Sequence, residues 1–400
     1  MTALCLMAIL AAVALSFRPS GLFGDDEQYL YLVKGFFSGH PFENLRDGNG
    51  NLFLLRPFGY PLFLCLFYPL LGQHWELYPW ITAMFCFLLG AITFLCFRLR
   101  MGRLPSLAFT LAMLCNPMIR LWSTNAYSDI PFTFFMVLFI YLFTTKKALG
   151  TLPYLAVFMV ALRTSGLPLA GAYGAALLVR KDKQHFVILA GLLIAYFGIQ
   201  QWYFGEIPGL QEYFRIHVQD SINVHAVPLP MRMLHNLRSL LFTLLSSTFF
   251  YGGYASIPAS FLKSVLCLFM GGLAMVCLAV AAGRSVFLNL LIAGYFAVML
   301  VLRPEDLVHR ILIPLIPLVY LGAGRLAAVA ETLYMPRLRQ IVIAVALLSA
   351  LDGVISMGQY RSQFKPRDYS DVYGAGGMTT GSTPSPSAGL SGKGAPTQPP

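Results

Sequence analysis

The residues best placed to do chemistry are three consecutive acids, Asp25, Asp26 and Glu27, which follow the apolar stretch 1–17. They open an amphipathic run, residues 29–37, that we predict to be a helix lying at a membrane interface. Acids at a helix start cap its free N–H groups and favour its dipole, so capping alone would explain them. The functional interpretation is a general base or a metal-binding pair, because a carboxylate beside a membrane can have a raised pKa.

Other charged residues stand at the ends of apolar runs. Asp129, in the sequence SDIPF, fits a helix N-cap, with proline at the second helical position. Alternatively, it is a second acid in the same site as the acidic triplet. Arg163 precedes Thr-Ser-Gly, and His309 and Arg310 precede Ile-Leu-Ile-Pro. These cations are either anchors that reach the membrane interface or ligands for a lipid phosphate.

The composition excludes a soluble domain. Hydrophobic residues make up 57% of the 400 residues and charged residues only 11%, against about 25% charged in soluble proteins. The net charge of +11 sits in short clusters between apolar runs, such as 98–103 and 180–183, as in cytoplasmic loops of membrane proteins and not as one nucleic-acid-binding stripe. The seven cysteines lack metal or CxxC spacing, so neither a zinc site nor a disulfide framework is predicted.

The elements that carry these residues are apolar runs of membrane-spanning length. We predict an all-α, polytopic transmembrane helix bundle of about 11 spans, range 10–13, with interfacial helices in the first outer loop. Residues 1–357 form the membrane domain, and the Gly/Ser/Thr/Pro-rich residues 358–400 a polar, largely disordered tail. The predicted spans are 2–17 (retained as a span), 77–97, 104–119, 129–145, 151–163, 166–179, 185–204, 259–283, 285–302, 310–331 and 338–356.

Two apolar segments, 57–72 and 237–257, are ambiguous, and we predict that both are interfacial. The first holds three prolines and is too short to cross a bilayer. With both segments interfacial, the basic clusters fall on the cytoplasmic side, as is usual for membrane proteins. The acids and the isolated cations then fall on the outer side, where residues 120–128 form an outer loop. Acids and cations on one membrane face suit displacement of a phosphate from a lipid carrier. An acid would activate an acceptor hydroxyl, and the cations would hold the departing phosphate.

The order of motifs resembles the GT-C superfamily of membrane glycosyltransferases. This superfamily includes the protein O-mannosyltransferases of glycosyltransferase family 39 and the lipid A aminoarabinose transferase. The resemblance covers most of residues 1–330 and rests on five motifs in order. They are Asp25-Asp26-x-x-Tyr29, Arg56-Pro57-Phe58-Gly59-Tyr60-Pro61-Leu62, Ser128-Asp129-Ile130-Pro131-Phe132, Leu162-Arg163-Thr164-Ser165-Gly166 and His309-Arg310-Ile311-Leu312-Ile313-Pro314.

The resemblance implies an inverting transferase, hexosyl- or mannosyl-like, that uses a polyprenyl-phosphate sugar donor. Asp25, or else Asp26, would be the catalytic base, and Asp129 would orient the acceptor or help to hold a divalent cation, Mg²⁺ or Mn²⁺. Arg163 and Arg310 would bind the lipid phosphate. The further substrate-binding candidates are Glu27, Tyr29, Arg56, Tyr60 and His309.

The implied partners are membrane lipid, the lipid-linked donor and a glycan, lipid or protein acceptor, with no nucleic acid. We expect a multi-pass location in a bacterial cell membrane, with a site that faces outward and serves cell-envelope glycosylation. Two alternatives stay open: a transporter or flippase for a lipid-linked or anionic substrate, and a non-catalytic subunit of a membrane complex. A transporter would show two related halves around a midplane site, and the sequence shows no matching halves.

Overall fold

The structure of the protein, a computed structural model, describes residues 25–43, 57–205, 229–240, 249, 261–301 and 309–363. Within these ranges the chain forms fifteen α-helices joined by short turns. The first eight are α1 (Asp25–Phe37), α2 (Gly59–Cys65), α3 (Tyr68–Leu71), α4 (Tyr78–Arg98), α5 (Arg103–Leu114), α6 (Pro117–Ser123), α7 (Asp129–Thr145) and α8 (Leu152–Leu162). The others are α9 (Leu167–Val179), α10 (Lys183–Phe204), α11 (Leu229–Ser239), α12 (Phe261–Ala282), α13 (Val286–Val301), α14 (Ile316–Thr332) and α15 (Pro336–Gln363). Single 3-10 turns precede several of them, among them Thr164–Gly166 and His309–Leu315.

Local sequence signals set the helix boundaries. Proline occupies the first turn of α4, α8, α9 and α14, where its missing N–H would have had no partner within the helix. Asp182 caps α10 by accepting a hydrogen bond from the backbone N–H of His185 at 3.3 Å. The same helix ends at Gly205, whose φ of 73° is the left-handed conformation that glycine adopts without strain.

The chain is an integral membrane protein by the length and composition of its helices. Four helical stretches are long and apolar enough to cross a membrane: Trp75–Arg98, Lys183–Phe204, Ser264–Ala282 and Leu312–Thr332. Five shorter apolar helices accompany them: Arg103–Leu114, Asp129–Thr145, Leu149–Leu162, Thr164–Val179 and Val286–Leu300. The prediction of an all-α, multi-pass bundle is confirmed. The total of 11 spans stays a prediction, as does the division at residue 357, and residues 2–17 lie outside the described ranges.

The helices pack closely where small residues allow it. A Cβ built on Gly322 of α14 would overlap the carbonyl group of Cys277 on α12, so these two backbones touch. Similar pairs of packed helices are α4 with α7, α9 with α13, and α14 with α15. Close van der Waals packing of this kind holds membrane helices together, because lipid tails compete equally for apolar contact.

Three predictions about the outer segments meet different outcomes. Residues 57–72 form α2 and α3, which are 7 and 4 residues long and too short to span a bilayer, as predicted. The predicted interfacial run 29–37 is helical, and its position at a membrane interface stays a prediction. Every residue from Tyr29 to Lys34 is buried, so neighbours cover all its faces. Of the ambiguous segment 237–257, only the end of α11, Leu240 and Phe249 lie within the described residues.

The predicted outer loop 120–128 is not a loop throughout, because its first residues belong to a helix. Residues 117–123 form α6, which packs against α15, α4 and the 3-10 helix His309–Leu315. The polar residues that follow, from Ser123 to Asp129, are all buried. A run of polar residues predicts a loop, but here later parts of the chain cover it.

Candidate functional site

A buried ion pair joins two of the predicted site residues. Nη1 of Arg163 lies 2.5 Å from Oδ1 of Asp129, and the two side chains are 17% and 1% exposed. Asp129 begins α7 and Arg163 ends α8, and these helices are antiparallel neighbours. The two residues therefore meet at the same end of the helix pair, which the charge pattern assigns to the outer side.

Hydroxyl groups fix the arginine in position. Its Nη1 also donates to Oγ of Ser128 at 3.3 Å, and its Nε donates to Oγ of Ser165 at 3.2 Å. Within the described part of the chain, no acceptor lies within hydrogen-bond distance of the remaining terminal nitrogen, Nη2. The guanidinium is therefore held through Nε and Nη1, and Nη2 has no acceptor among the described residues.

The structure corrects the interpretation of Asp129 as a helix N-cap. Ser128 occupies the N-cap position, although its side chain makes no capping hydrogen bond, and Asp129 is the first helical residue. The carboxylate interacts with Arg163 instead. An acid in the first turn still favours the helix dipole, so its position serves both interactions.

The turn that carries Arg163 is tightly packed and has no space for a side chain at Gly166. The backbone of Arg163 leaves the helix in an extended conformation, with φ −154° and ψ 143°. The N–H of Gly166 then donates to the Arg163 carbonyl at 2.8 Å. A Cβ on Gly166 would lie 2.5 Å from the Met159 carbonyl oxygen, so only glycine fits there.

The second motif packs directly against this turn. A Cβ on Gly59, at the start of α2, would overlap the carbonyl group of Ala161, two residues before Arg163. The ring of Tyr60 in turn meets that of Tyr29 edge to face, with centroids 4.9 Å apart. Helix α1, which opens with the acidic triplet, is thus joined through α2 to the ion pair.

The fifth motif completes the assembly. The 3-10 helix His309–Leu315 packs against α7 and α6, and Leu312 and Ile313 are fully buried. All five motifs of the sequence resemblance therefore lie on elements in contact with one another. The side chains of Asp25, Asp26, Glu27, His309 and Arg310, and the whole of Arg56, lie outside the described residues.

Several buried polar residues near these elements were not among the predicted site residues. Lys34 on α1 is 6% exposed, and burial lowers the pKa of its ammonium group below the usual value. Arg120 on α6 is 5% exposed, and Tyr295 on α13 is 1% exposed. Lysine and arginine are rarely buried to this extent unless they are paired, so their burial points to a functional site. A tyrosine within an apolar run, in contrast, cannot be distinguished by sequence from an ordinary packing residue.

The geometry can hold and orient an anion, but Asp129 is poorly placed as a metal ligand. Its Oδ1 already contacts a guanidinium, which would repel a divalent cation at short range. No group of three or more His, Cys, Asp or Glu side chains suited to one metal ion occurs among the described residues. The side chains of the acidic triplet lie outside the described residues, and a metal site there stays a prediction.

The fold of this chain is similar to that of a solved membrane protein, ArnT, a member of the superfamily that the sequence motifs resemble. The crystal structure of ArnT from Cupriavidus metallidurans bound to undecaprenyl phosphate matches 92% of this chain and 79% of its own, with a TM-score of 0.57 and 12% identity. The same protein in the apo state matches 89% and 75%, with a TM-score of 0.51 and 12% identity. Comparisons of the sequence with family models and with curated proteins give no match. At this identity the likeness is one of fold.

Proposed function

We propose that the protein is a membrane glycosyltransferase that moves a sugar from a polyprenyl phosphate to a hydroxyl group. The observation that carries the proposal is the buried Asp129–Arg163 pair, placed where the motif-bearing elements meet in a chain with the ArnT fold. A solved relative in fold holds undecaprenyl phosphate, which supports a polyprenyl-phosphate donor here.

The proposed reaction is a single displacement at the anomeric carbon. A carboxylate takes the proton of the acceptor hydroxyl as its oxygen forms a bond to that carbon, and the bond from the carbon to the phosphate oxygen breaks. The polyprenyl phosphate leaves with the bonding electron pair, and the sugar inverts its configuration. Negative charge builds on the departing phosphate, so fixed cationic donors lower the barrier.

The residues take roles that follow from their positions. Asp25, or Asp26 as the second choice, is the base, because both open helix α1 at the end that α2 links to Arg163. Arg163 offers Nη2 to a phosphate oxygen. Asp129 orients that guanidinium and does not take a proton, since its Oδ1 is already engaged.

The remaining candidates complete the substrate site. Glu27, Arg56, His309 and Arg310 contact the donor or the acceptor from the outer side. Tyr29 and Tyr60 hold helices α1 and α2 together beside the substrate site, because both are buried and their rings pack on each other. A divalent cation, if used, is held by the acids of the triplet. The site faces outward from a bacterial cell membrane.

The test is sugar transfer by the purified protein from a panel of radiolabelled polyprenyl-phosphate sugars. The variants are Asp25→Asn and Asp26→Asn, with Asp182→Asn as a matched control at a turn assigned to the opposite side. We expect one of the first two to reduce transfer at least 100-fold, in the range of a lost general base, and the control to retain activity. An excess of EDTA in a parallel reaction tests the divalent cation.

Two results would contradict the proposal. Transfer that survives the loss of both triplet aspartates would exclude them as the base. Neither transfer nor donor hydrolysis with any member of the panel, from protein shown to be folded, would favour a transporter or a non-catalytic subunit.

A further inference from the structure

Three arginines from separate parts of the chain lie at one end of the helix bundle. Arg100 is in the turn between α4 and α5, Arg284 is in the turn between α12 and α13, and Arg325 is within α14. The helices α4, α12 and α14 coincide with three of the stretches that are long and apolar enough to cross a membrane. The charge pattern assigns this end of the bundle to the cytoplasmic side.

Hydrogen bonds to another helix hold the guanidinium of Arg325 in place. Its Nη1 donates to the carbonyl oxygens of Val280 and Ala281, in the last turn of α12, at 2.7 and 3.0 Å. Carbonyl groups in the last turn of a helix lack partners within that helix, so the arginine caps α12. The side chain is half-buried, and its Nε and Nη2 have no acceptor among the described residues. These two nitrogens can donate to a ligand at the end of the bundle.

Close contacts between helices bring the other two arginines beside Arg325. A Cβ built on Gly283 would lie 3.6 Å from Nη1 and 3.7 Å from Nη2 of Arg325, and Arg284 is the next residue in the chain. A Cβ built on the glycine that precedes Arg325 would overlap the sulfur of Met101, which directly follows Arg100. Each neighbouring turn therefore places an arginine next to the fixed guanidinium.

No acid compensates this cluster of three arginines within the described part of the chain. Arg100 and Arg284 are both exposed. The described acids that the charge pattern assigns to the same side, Asp182 and Glu331, pair with other cations. Like charges that lie close together repel one another, so an anion bound among them would lower the electrostatic energy.

We propose that Arg100, Arg284 and Arg325 bind the phosphate group of an anionic phospholipid in the cytoplasmic leaflet. Nε and Nη2 of Arg325 present two N–H donors in the fork geometry that matches two phosphate oxygens. The two exposed arginines add charge from the adjacent turns. Basic pockets between membrane helices on the cytoplasmic side are suited to such headgroups. The bound lipid joins the ends of α4, α12 and α14.

The arginine cluster lies at the opposite end of the bundle from the Asp129–Arg163 pair. Asp129 begins α7, whereas Phe143, near the other end of α7, has its ring 4.7 Å from that of Phe287 on α13. Arg284 comes shortly before Phe287 in the chain. The inference therefore does not depend on the proposed transferase reaction.

The experiment measures the rise in melting temperature of the purified protein in detergent micelles as each of three ligands is added. Phosphatidylglycerol carries a phosphate and a net negative charge. Phosphatidylcholine carries the same phosphate, but its choline neutralises the charge, and inorganic phosphate has no acyl chains. We expect a saturable rise with phosphatidylglycerol and no comparable rise with the other two.

Single substitutions test whether the arginines form one site. Arg100→Gln and Arg284→Gln should each weaken the apparent affinity for phosphatidylglycerol about fivefold, the effect of one basic residue near an anionic lipid. Both residues are exposed, so neither change should prevent folding. Lys183→Gln is the matched control, because it removes the same charge from the same side, on a helix that packs mainly on α8 and α9. Its affinity should stay within about twofold of the wild type.

Arg325→Gln should weaken the affinity at least as much as either exposed substitution, because it removes the fixed donors. It also removes the hydrogen bonds to α12, so its melting temperature without lipid should fall. The two exposed arginines therefore decide the test.

Three results would overturn the inference. An equal rise with phosphatidylcholine would show that the charge of the headgroup is not recognised. An equal rise with inorganic phosphate would make the ligand a soluble anion and not a lipid. A loss of affinity in Lys183→Gln as large as that in Arg284→Gln would mean that the whole basic face attracts the lipid without a defined site.

Discussion

Removing either partner of the Asp129–Arg163 pair should destabilise the protein by unequal amounts. Arg163→Met leaves a carboxylate that is 1% exposed without its guanidinium, and a broken buried pair costs about 3–5 kcal/mol. Asp129→Asn leaves an arginine that is 17% exposed. That arginine keeps its bonds to Ser128 and Ser165, so we expect a smaller loss of about 1–3 kcal/mol.

The double variant should be less destabilised than the sum of the two single changes. Once the guanidinium is gone, Asp129→Asn removes a buried charge that has lost this partner and should restore part of the stability, which gives a coupling energy of about 1–3 kcal/mol. The assay is equilibrium unfolding of the purified protein in detergent micelles, followed by circular dichroism for all four members of the cycle.

An exposed pair provides the control cycle. Arg339 and Glu331 are 3.2 Å apart but 46% and 60% exposed, so their coupling should not exceed about 1 kcal/mol. Additive changes at Asp129 and Arg163, within about 0.5 kcal/mol, would refute the reasoning that the buried pair is held by mutual interaction.

Three further changes test the packing and the cytoplasmic side. Gly322→Ala should lower the melting temperature, at a cost of at least about 1–3 kcal/mol from overpacking on α12, whereas Gly272→Ala, with nothing within 4 Å, should be nearly neutral. Gly59→Ala should reduce the transfer activity of the folded protein, because the added methyl group pushes α2 against the turn that carries Arg163. Activity equal to that of the wild type would show that the position of α2 does not affect that turn. The hydrogen bond from His185 lowers the pKa of Asp182 below its usual value, so this pair stabilises the protein above about pH 4 and the effect fades as the pH falls through the lowered pKa. Asp182→Asn should therefore lower the melting temperature slightly at about pH 7, and this difference should shrink as the pH falls below about 4. A difference independent of pH would be the contrary result.

The sequence predicted the helical class and the location of most apolar helices, because apolar length is a local signal. It also placed Asp129 and Arg163 at the same end of consecutive antiparallel helices, and the structure brings them together there. Their pairing was within reach of the same reasoning. A cation and an acid at adjacent helix ends in a medium of low dielectric constant are expected to meet.

The remaining differences arise from contacts distant in sequence. Whether residues 29–34 lie on a surface or inside depends on which later helices cover them, and an amphipathic pattern cannot report that. The burial of α6 depends on α15, more than 200 residues later in the chain. Buried Arg120 was not among the predicted site residues, because its burial depends on helices that are distant in sequence.

The break between α5 and α6 has a consequence for how the chain is made. Oδ1 of Asn116 accepts from the backbone N–H groups of Met118 and Ile119, which the interrupted helix would otherwise leave unsatisfied in the membrane. Its Nδ2, however, donates to the hydroxyl of Tyr320, 204 residues later. During synthesis this hydrogen bond can form only after helix α14 has entered the bilayer. The contacts around the break between α5 and α6 are therefore completed late, although the break itself is made early in the chain.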